Sequence, residues 1–278
     1  MLESRKVLAY LSYLKDGEWH DVYDFIKFKK VFNHEEAKVI DEKLSTDYVT
    51  LLDDNYPNCF KTKLGEPPFV LYYKGDISIL NNKDFRKLSI VGSRRCSQYG
   101  VESVKQIINS LPKNYVIISG LAKGIDSIAH KTALECGLKT IAVLGSGIDY
   151  IYPEENLTLY NDIILNGGLI LSEYPNHVSP KKDNFIFRNR LVASLGEFLL
   201  VGEAYSRSGT QTTITYALQC GNSVGCIPYP INTGSLCNTF IKEGAYLIDS
   251  GKEIVNIMNN EGNSYRWLKR GLSILSII

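Results

Sequence analysis

The sequence predicts an α/β fold: a doubly wound, mainly parallel sheet with a small helical N-terminal domain. Three observations carry this. From residue 88 onward, short continuous apolar runs alternate with helical patterns, which is how parallel strands covered on both faces read. Turns rich in glycine, serine and threonine punctuate that alternation. Residues 1 to about 55 lack it and carry only helix-spaced apolar positions.

Val7, Leu8, Leu11 and Leu14 recur at helical spacing, and Gly17 ends the segment. Val22, Phe25 and Ile26, then Ala37, Ile40 and Leu44, predict two more short helices. Asp54-Asn55-Tyr56-Pro57 and Gly65-Glu66-Pro67-Pro68 are turn chemistry and form a connector. The first strand is 88–92, followed by a helix over about 99–111. A strand over 115–120 leads to a helix over 124–137, closed by a glycine. A third strand covers 139–145, and a helix over 153–166 carries Pro153 in its first turn. Further strands cover 169–172, 197–202 and 223–227, with a helix over 209–221 between the last two. This is an extended Rossmann-like layout. The predicted organisation is a helical module over 1–60, a Rossmann-like domain over 61–260 and an apolar tail over 261–278.

Composition excludes several classes. A chain of 278 residues leaves room for about two domains. With 44% hydrophobic and 22% charged residues, neither wholesale disorder nor a fibrous fold is expected. The six cysteines form no CxxC pair, so no metal site is expected and the thiols are expected to be reduced. The start MLESRKVLAY lacks a long apolar core, and no run approaches the roughly 20 apolar residues of a membrane span. A cytoplasmic protein without membrane contact follows as the expectation.

Ligands in open α/β sheets bind at the carboxyl ends of the strands. The loops there are Gly92-Ser93-Arg94-Arg95, Ser119-Gly120-Leu121-Ala122-Lys123-Gly124-Ile125-Asp126, Gly145-Ser146-Gly147 and Ser208-Gly209-Thr210. Any one of them could merely cap a helix or turn the chain. Four on one sheet edge point to a phosphate-binding rim. No GxxxxGKS/T motif is present, no GxGxxG opens the first helix, and no GxSxG elbow exists. These absences argue against a Walker-type NTPase, a standard dinucleotide site and a serine hydrolase, and no cofactor is expected. His130, inside a helix, is expected to be packed rather than catalytic, whereas Asp126 suits either a base or a structural carboxylate. The stretch Phe185-Ile186-Phe187-Arg188-Asn189-Arg190 interleaves rings with cations, the composition of a sequence-tolerant single-strand binder. A mixture is expected, with Arg188 or Arg190 at the rim.

The net charge of +1 taken alone argues against a polyanionic partner. Its distribution argues the other way. Residues 81–131 hold nine cations against three acids, and residues 181–190 hold four against one. Residues 132–172 are net −4 and residues 1–80 net −3. The cations concentrate in the segments that bear the candidate phosphate loops.

On these residues the chain resembles the DNA-processing protein A family, DprA or Smf. The motifs are Ile90-Val91-Gly92-Ser93-Arg94 with Tyr99-Gly100, the 119–126 loop with His130, and Gly147-Ile148-Asp149 with Tyr152-Pro153. Ser172-Glu173, Phe187-Arg188-Asn189-Arg190, Glu203-Ala204 with Ser208-Gly209-Thr210, and Gly244-Ala245 follow in order. The resemblance covers about residues 53–258. It implies a binding protein rather than an enzyme: a homodimer that binds single-stranded DNA, protects incoming strands in natural transformation and loads the RecA recombinase. Carried over, Gly92, Ser93 and Arg94 hold a phosphate and Ser119, Gly120 and Lys123 form the neighbouring wall. Arg188, Asn189 and Arg190 flank the strand, and Ser208, Gly209 and Thr210 close the pocket. The chain departs from the family where Pro228-Tyr229 replaces a common Pro-Gly, and where Leu236-Cys237 precedes Asn238 in place of a glycine. The tail matches no winged-helix extension of the kind some members carry. The alternative is a nucleotide enzyme of the phosphoribohydrolase-like Rossmann class, for which Glu203 is the nearby acid that spacing offers. A third possibility is a scaffold that dimerises and contacts a recombinase.

Overall fold

The computed structural model describes residues 3–206 and 209–260. The predicted tail and Ser208 lie outside the described residues. Helices α1 (Ser4–Leu14) and α2 (Trp19–Lys27) bury Ala9, Tyr10, Leu11, Val22 and Phe25 on their facing sides. The third predicted helix is split. α3 (His34–Lys38) starts where the Asn33 side chain accepts from the amides of Glu35 and Glu36. It ends at Val39, whose backbone leaves the helical region before α4 (Ile40–Lys43).

Strand β1 (Asp47–Thr50), α5 (Asn58–Lys63) and β2 (Val70–Gly75) follow. Then come β3 (Arg86–Gly92), α6 (Gln98–Asn109), β4 (Tyr115–Ser119), α7 (Ile125–Glu135), β5 (Lys139–Leu144), α8 (Leu157–Leu165) and β6 (Leu169–Ser172). The chain continues through α9 (Lys182–Leu195), β7 (Phe198–Glu203), α10 (Thr210–Gln219), β8 (Ser223–Cys226), α11 (Cys237–Lys242), β9 (Tyr246–Leu247) and α12 (Gly251–Asn260). The strands form one sheet in the order β1-β2-β6-β5-β4-β3-β7-β8-β9. From β6 to β9 every pairing is parallel, while β2 runs antiparallel to β6 and β1 antiparallel to β2. The fold is the predicted α/β, Rossmann-like one.

The sheet is wound outward from β3, first through β4, β5 and β6, then on the other side through β7 and β8. The strand order therefore reverses between β3 and β7, the position at which open α/β sheets form their ligand crevice. The strands beneath carry a dry apolar core: Leu88, Ile90, Ile117, Ile118, Ile141, Val143, Leu199 and Leu200 have no exposed surface.

The helical module sits against the antiparallel end of the sheet. Trp19 Nε1 donates to the Pro67 carbonyl at 2.8 Å, and the Tyr72 hydroxyl reaches Ser12 Oγ at 3.1 Å. Gly17, at φ +73°, lies where a Cβ would be 2.7 Å from the Glu173 carbonyl, so only glycine allows this approach. Among the described residues no helix is long and apolar enough to cross a membrane.

Candidate nucleic-acid interface

The loop after β3 is held from below. Ser93 N donates to the Glu203 carbonyl at 2.8 Å, and Ile125 N donates to the Ser93 carbonyl at 3.2 Å. Gly124, at φ +77°, brings the loops after β3 and β4 backbone to backbone; a Cβ there would run into the Ser93 carbonyl. Ser93 Oγ accepts from Arg95 N at 3.1 Å, a local turn that sends Arg94 and Arg95 outward. Both arginines are exposed, and neither has an acidic partner among the described residues.

α9 crosses above these loops and supplies the rest of the floor. Phe185 is the shared element: the Arg94 guanidinium lies 5.8 Å and that of Arg188 5.9 Å from its ring centroid. Gly120 and Gly145 make room for this helix. A Cβ on Gly120 would be 2.6 Å from the Arg188 guanidinium, and one on Gly145 would be 2.7 Å from the Phe185 ring. The sequence assigned Gly120 to a wall that approaches ligand; its close neighbour is instead a side chain of α9.

Arg188 is 3% exposed. It donates to the carbonyls of Gly120, at 2.8 Å, and of Val143. Burial pushes its guanidinium down to about 10, opposed by the nearby Asp126 carboxylate, so it stays charged at neutral pH. Burial pushes Asp126 up, and Arg188 opposes that shift. Arg190 is 2% exposed. It forks onto the Glu173 carboxylate, with Nη2 to Oε1 at 3.1 Å, and lies 3.7 Å over the Phe187 ring. Neither arginine occupies the rim the sequence predicted for it, because each meets its partners inside the protein. Ser119 is also beneath the rim, its hydroxyl donating to the Ile90 carbonyl at 2.6 Å.

The remaining predicted residues are nearer the surface. Lys123 is exposed, and its ammonium pairs with the exposed Glu155 carboxylate at 2.5 Å. Such a pair is worth little and yields readily to a phosphate. Asn189 Nδ2 donates to the Gly209 carbonyl at 3.4 Å, tying α9 to the start of α10, where Thr210 is buried and Gly209 exposed. Gly92, Ser93, Arg94, Gly120, Arg188, Asn189 and Gly209 thus gather around the crevice. Arg190 is directed away into the body of the protein.

A family model described as DNA recombination-mediator protein A matches residues 47–259. The chain belongs to that family. Within it, the DNA processing protein DprA of Streptococcus pneumoniae is 40% identical over 232 residues, 81% of this chain and 80% of that protein. Protein Smf of Escherichia coli is 38% identical over 191 residues, 68% of this chain and 50% of the longer relative. The crystal structure of the Streptococcus pneumoniae protein superimposes with a TM-score of 0.75, covering 92% of this chain and 93% of that one at 35% identity. DNA processing protein A of Helicobacter pylori, whose structure was described for its single-stranded DNA binding mode, superimposes at 0.69 with 31% identity. That match covers 78% of this chain and 98% of the other.

Tyr229, where the sequence was expected to depart from the family pattern, packs against Glu203. Glu203, with no exposed surface, accepts from Ser97 N at 3.0 Å, Ser97 Oγ at 2.8 Å and the Tyr229 hydroxyl at 2.9 Å. Burial and Glu203 both push the Tyr229 hydroxyl up, so it remains a donor. A Cβ on Gly100 would strike this carboxylate, which explains the glycine of Tyr99-Gly100. Sequence reasoning missed two partnerships here, Tyr229 with Glu203 and Glu173 with Arg190. Both pairs are distant in the chain, and the one available signal was a charged residue inside an otherwise apolar strand end.

Proposed function

We propose that the protein binds single-stranded DNA along the carboxyl edge of its sheet and serves recombination by protecting incoming strands and loading the RecA recombinase. It does so in the cytoplasm, as a homodimer and without enzymatic chemistry. The observation that carries this reading is Arg94. It is an exposed guanidinium, unpaired by acid among the described residues, beside the Phe185 ring at the point where the strand order reverses. A phosphate fits the guanidinium and a base fits the neighbouring ring face, the combination single-strand binders use. Arg188 adds a fixed positive charge beneath the ring, and Gly92 and Ser93 keep the loop low enough for a backbone to pass. Arg190 ties α9 to Glu173 inside the protein and stands outside the contact.

The phosphoribohydrolase-like alternative needs an acid free to act on a nucleotide. Glu203 has no exposed surface and its oxygens accept from Ser97 and Tyr229, so it serves the fold. The test is fluorescence anisotropy with a labelled oligonucleotide across a salt series. Arg94→Glu is expected to weaken binding about ten-fold and to lower the salt slope by about 0.7. Absence of salt-sensitive binding by the unaltered protein would overturn the reading. Release of free base from a nucleoside monophosphate would favour the enzyme.

A further inference from the structure

A second cluster of rings and cations lies on the helical module, apart from the crevice. α2 ends at Lys27 within the stretch Phe25-Ile26-Lys27-Phe28-Lys29-Lys30-Val31. Phe25 is buried, but Phe28 is 61% and Val31 94% exposed, and Tyr23 and Ile26 on the same helix are each more than 40% exposed. Among the described residues Lys27, Lys29 and Lys30 have no acidic partner within ion-pair distance, whereas Lys6, Lys38 and Lys43 nearby are all paired. Lys27 Nζ lies 5.5 Å from the Tyr23 ring and 5.4 Å from the Phe28 ring.

The backbone fixes this knuckle. Lys30 N donates to the Phe25 carbonyl and Lys29 N to that of Ile26, both at 3.1 Å, closing the helix in a Schellman turn. The turn puts Lys29 at φ +49°, a left-handed conformation that glycine adopts without strain and lysine does not. One cation at a helix carboxyl end would answer the dipole. Three cations, one in strained backbone, with two bare apolar side chains beside them, exceed that need.

A chain of rings joins the knuckle to α9, whose opposite face lines the crevice. Phe187 of α9 lies 6.2 Å from His20, His20 lies 5.3 Å from Trp19, and Tyr23 stacks on Trp19 at 5.1 Å with the planes 11° apart. From Tyr23, α2 carries the path about 6 Å further to Lys27. Lys181 and Lys182 stand exposed at the start of α9, on the way.

We infer that the end of α2 is a second contact for nucleic acid, taking the single strand as it leaves the crevice. Lys27, Lys29 and Lys30 meet phosphates, and Tyr23 and Phe28 offer faces to bases. Asp21 and Asp24, earlier on α2, bias the contact toward the lysine end. The inference rests on the single-strand reading of the crevice, and strand length separates the two. The full chain and the variant Lys27→Glu/Lys29→Glu/Lys30→Glu are titrated with oligothymidylates of about 6 and about 25 nucleotides across a salt series, with circular dichroism as a check on folding. The variant is expected to bind the long strand roughly ten- to a hundred-fold more weakly, with a salt slope smaller by about 2, and to bind the short strand within two-fold of the unaltered protein. Phe28→Ala is expected to weaken only the long strand, with the salt slope unchanged. Unchanged long-strand affinity in both variants, with Arg94→Glu still impaired, would overturn this inference alone and leave the knuckle to a protein partner. No binding of either length by the unaltered protein would overturn it together with the crevice reading.

Discussion

Arg188 and Arg190 stand two residues apart on one helix, yet their surroundings assign them different work. Arg190 forks onto Glu173, and both side chains are 3% exposed. Removing one partner of a buried pair strands the other charge. Arg190→Met is therefore expected to cost about 3–5 kcal/mol in urea unfolding, while oligonucleotide affinity per folded molecule stays near that of the unaltered protein. His130 is the other buried polar residue with a measurable consequence. Its Nδ1 lies 2.6 Å from Thr140 Oγ1, and Thr140 donates onward to the Ile117 carbonyl, so the imidazole is the donor to Thr140. Burial, with Arg188 adding, pushes its pKa down to about 3 from 6.5. The folded state thus refuses a proton that the unfolded chain accepts below about pH 6.5, so stability is full above that pH and is lost as pH falls toward 3. His130→Phe is expected to flatten the unfolding free energy between about pH 6 and 4 by about 1.4 kcal/mol per unit. An unaltered slope would mean that other groups carry the acid sensitivity.

At the scale of elements, the parallel strands and the helices between them were legible because both faces of the sheet are covered. Strands such as Leu169–Ser172 read as unbroken apolar runs bounded by glycine or serine. Strands β1 and β2 were not legible. They lie at the antiparallel end, Pro67 and Pro68 stand just before β2, and the β6 partner of β2 is far away in the chain. Helix α9 was hidden for another reason. Its buried residues include Asn184, Arg188, Arg190 and Ser194, so no apolar stripe marks a period of 3.6. That same feature explains the partial legibility of the site. Glycine and arginine of the β3 loop are local, and they stand where the strand order opens. The roles of Gly120 and Gly145 depend on Arg188 and Phe185 of a helix that arrives much later in the chain, and chain spacing holds no trace of that packing. The interleaving of rings and cations in 185–190 was visible, but a helix distributes consecutive residues around its axis. Phe185 and Arg188 face the crevice, while Phe187 and Arg190 face Glu173 and the helical module.

For the whole molecule, a net charge of +1 sets how DNA can be held. Part of the cationic surface is answered locally by acids, as in Lys123 with Glu155, Lys74 with Asp149 and Arg86 with Glu197. The exposed cations without an acidic partner among the described residues that line the crevice and its continuation are Arg94, Arg95, Lys182, Lys27, Lys29 and Lys30. A protein coated in positive charge would gain phosphate contacts for as long as the strand lengthened, and its salt slope would grow with length. The contacts proposed above lie on one track, so the slope is expected to saturate. With one protein per strand, the unaltered chain is expected to show a salt slope of about 2 on an oligothymidylate confined to the crevice and about 4 on one that reaches α2. Lengthening the strand further is expected to add nothing. Titrations at matched occupancy over strands of about 6, 12, 25 and 50 nucleotides would check this. A slope that kept climbing would mean that the acids of 1–80 and 132–172 fail to shield the remaining surface, and that the near-neutral sum does not confine the DNA.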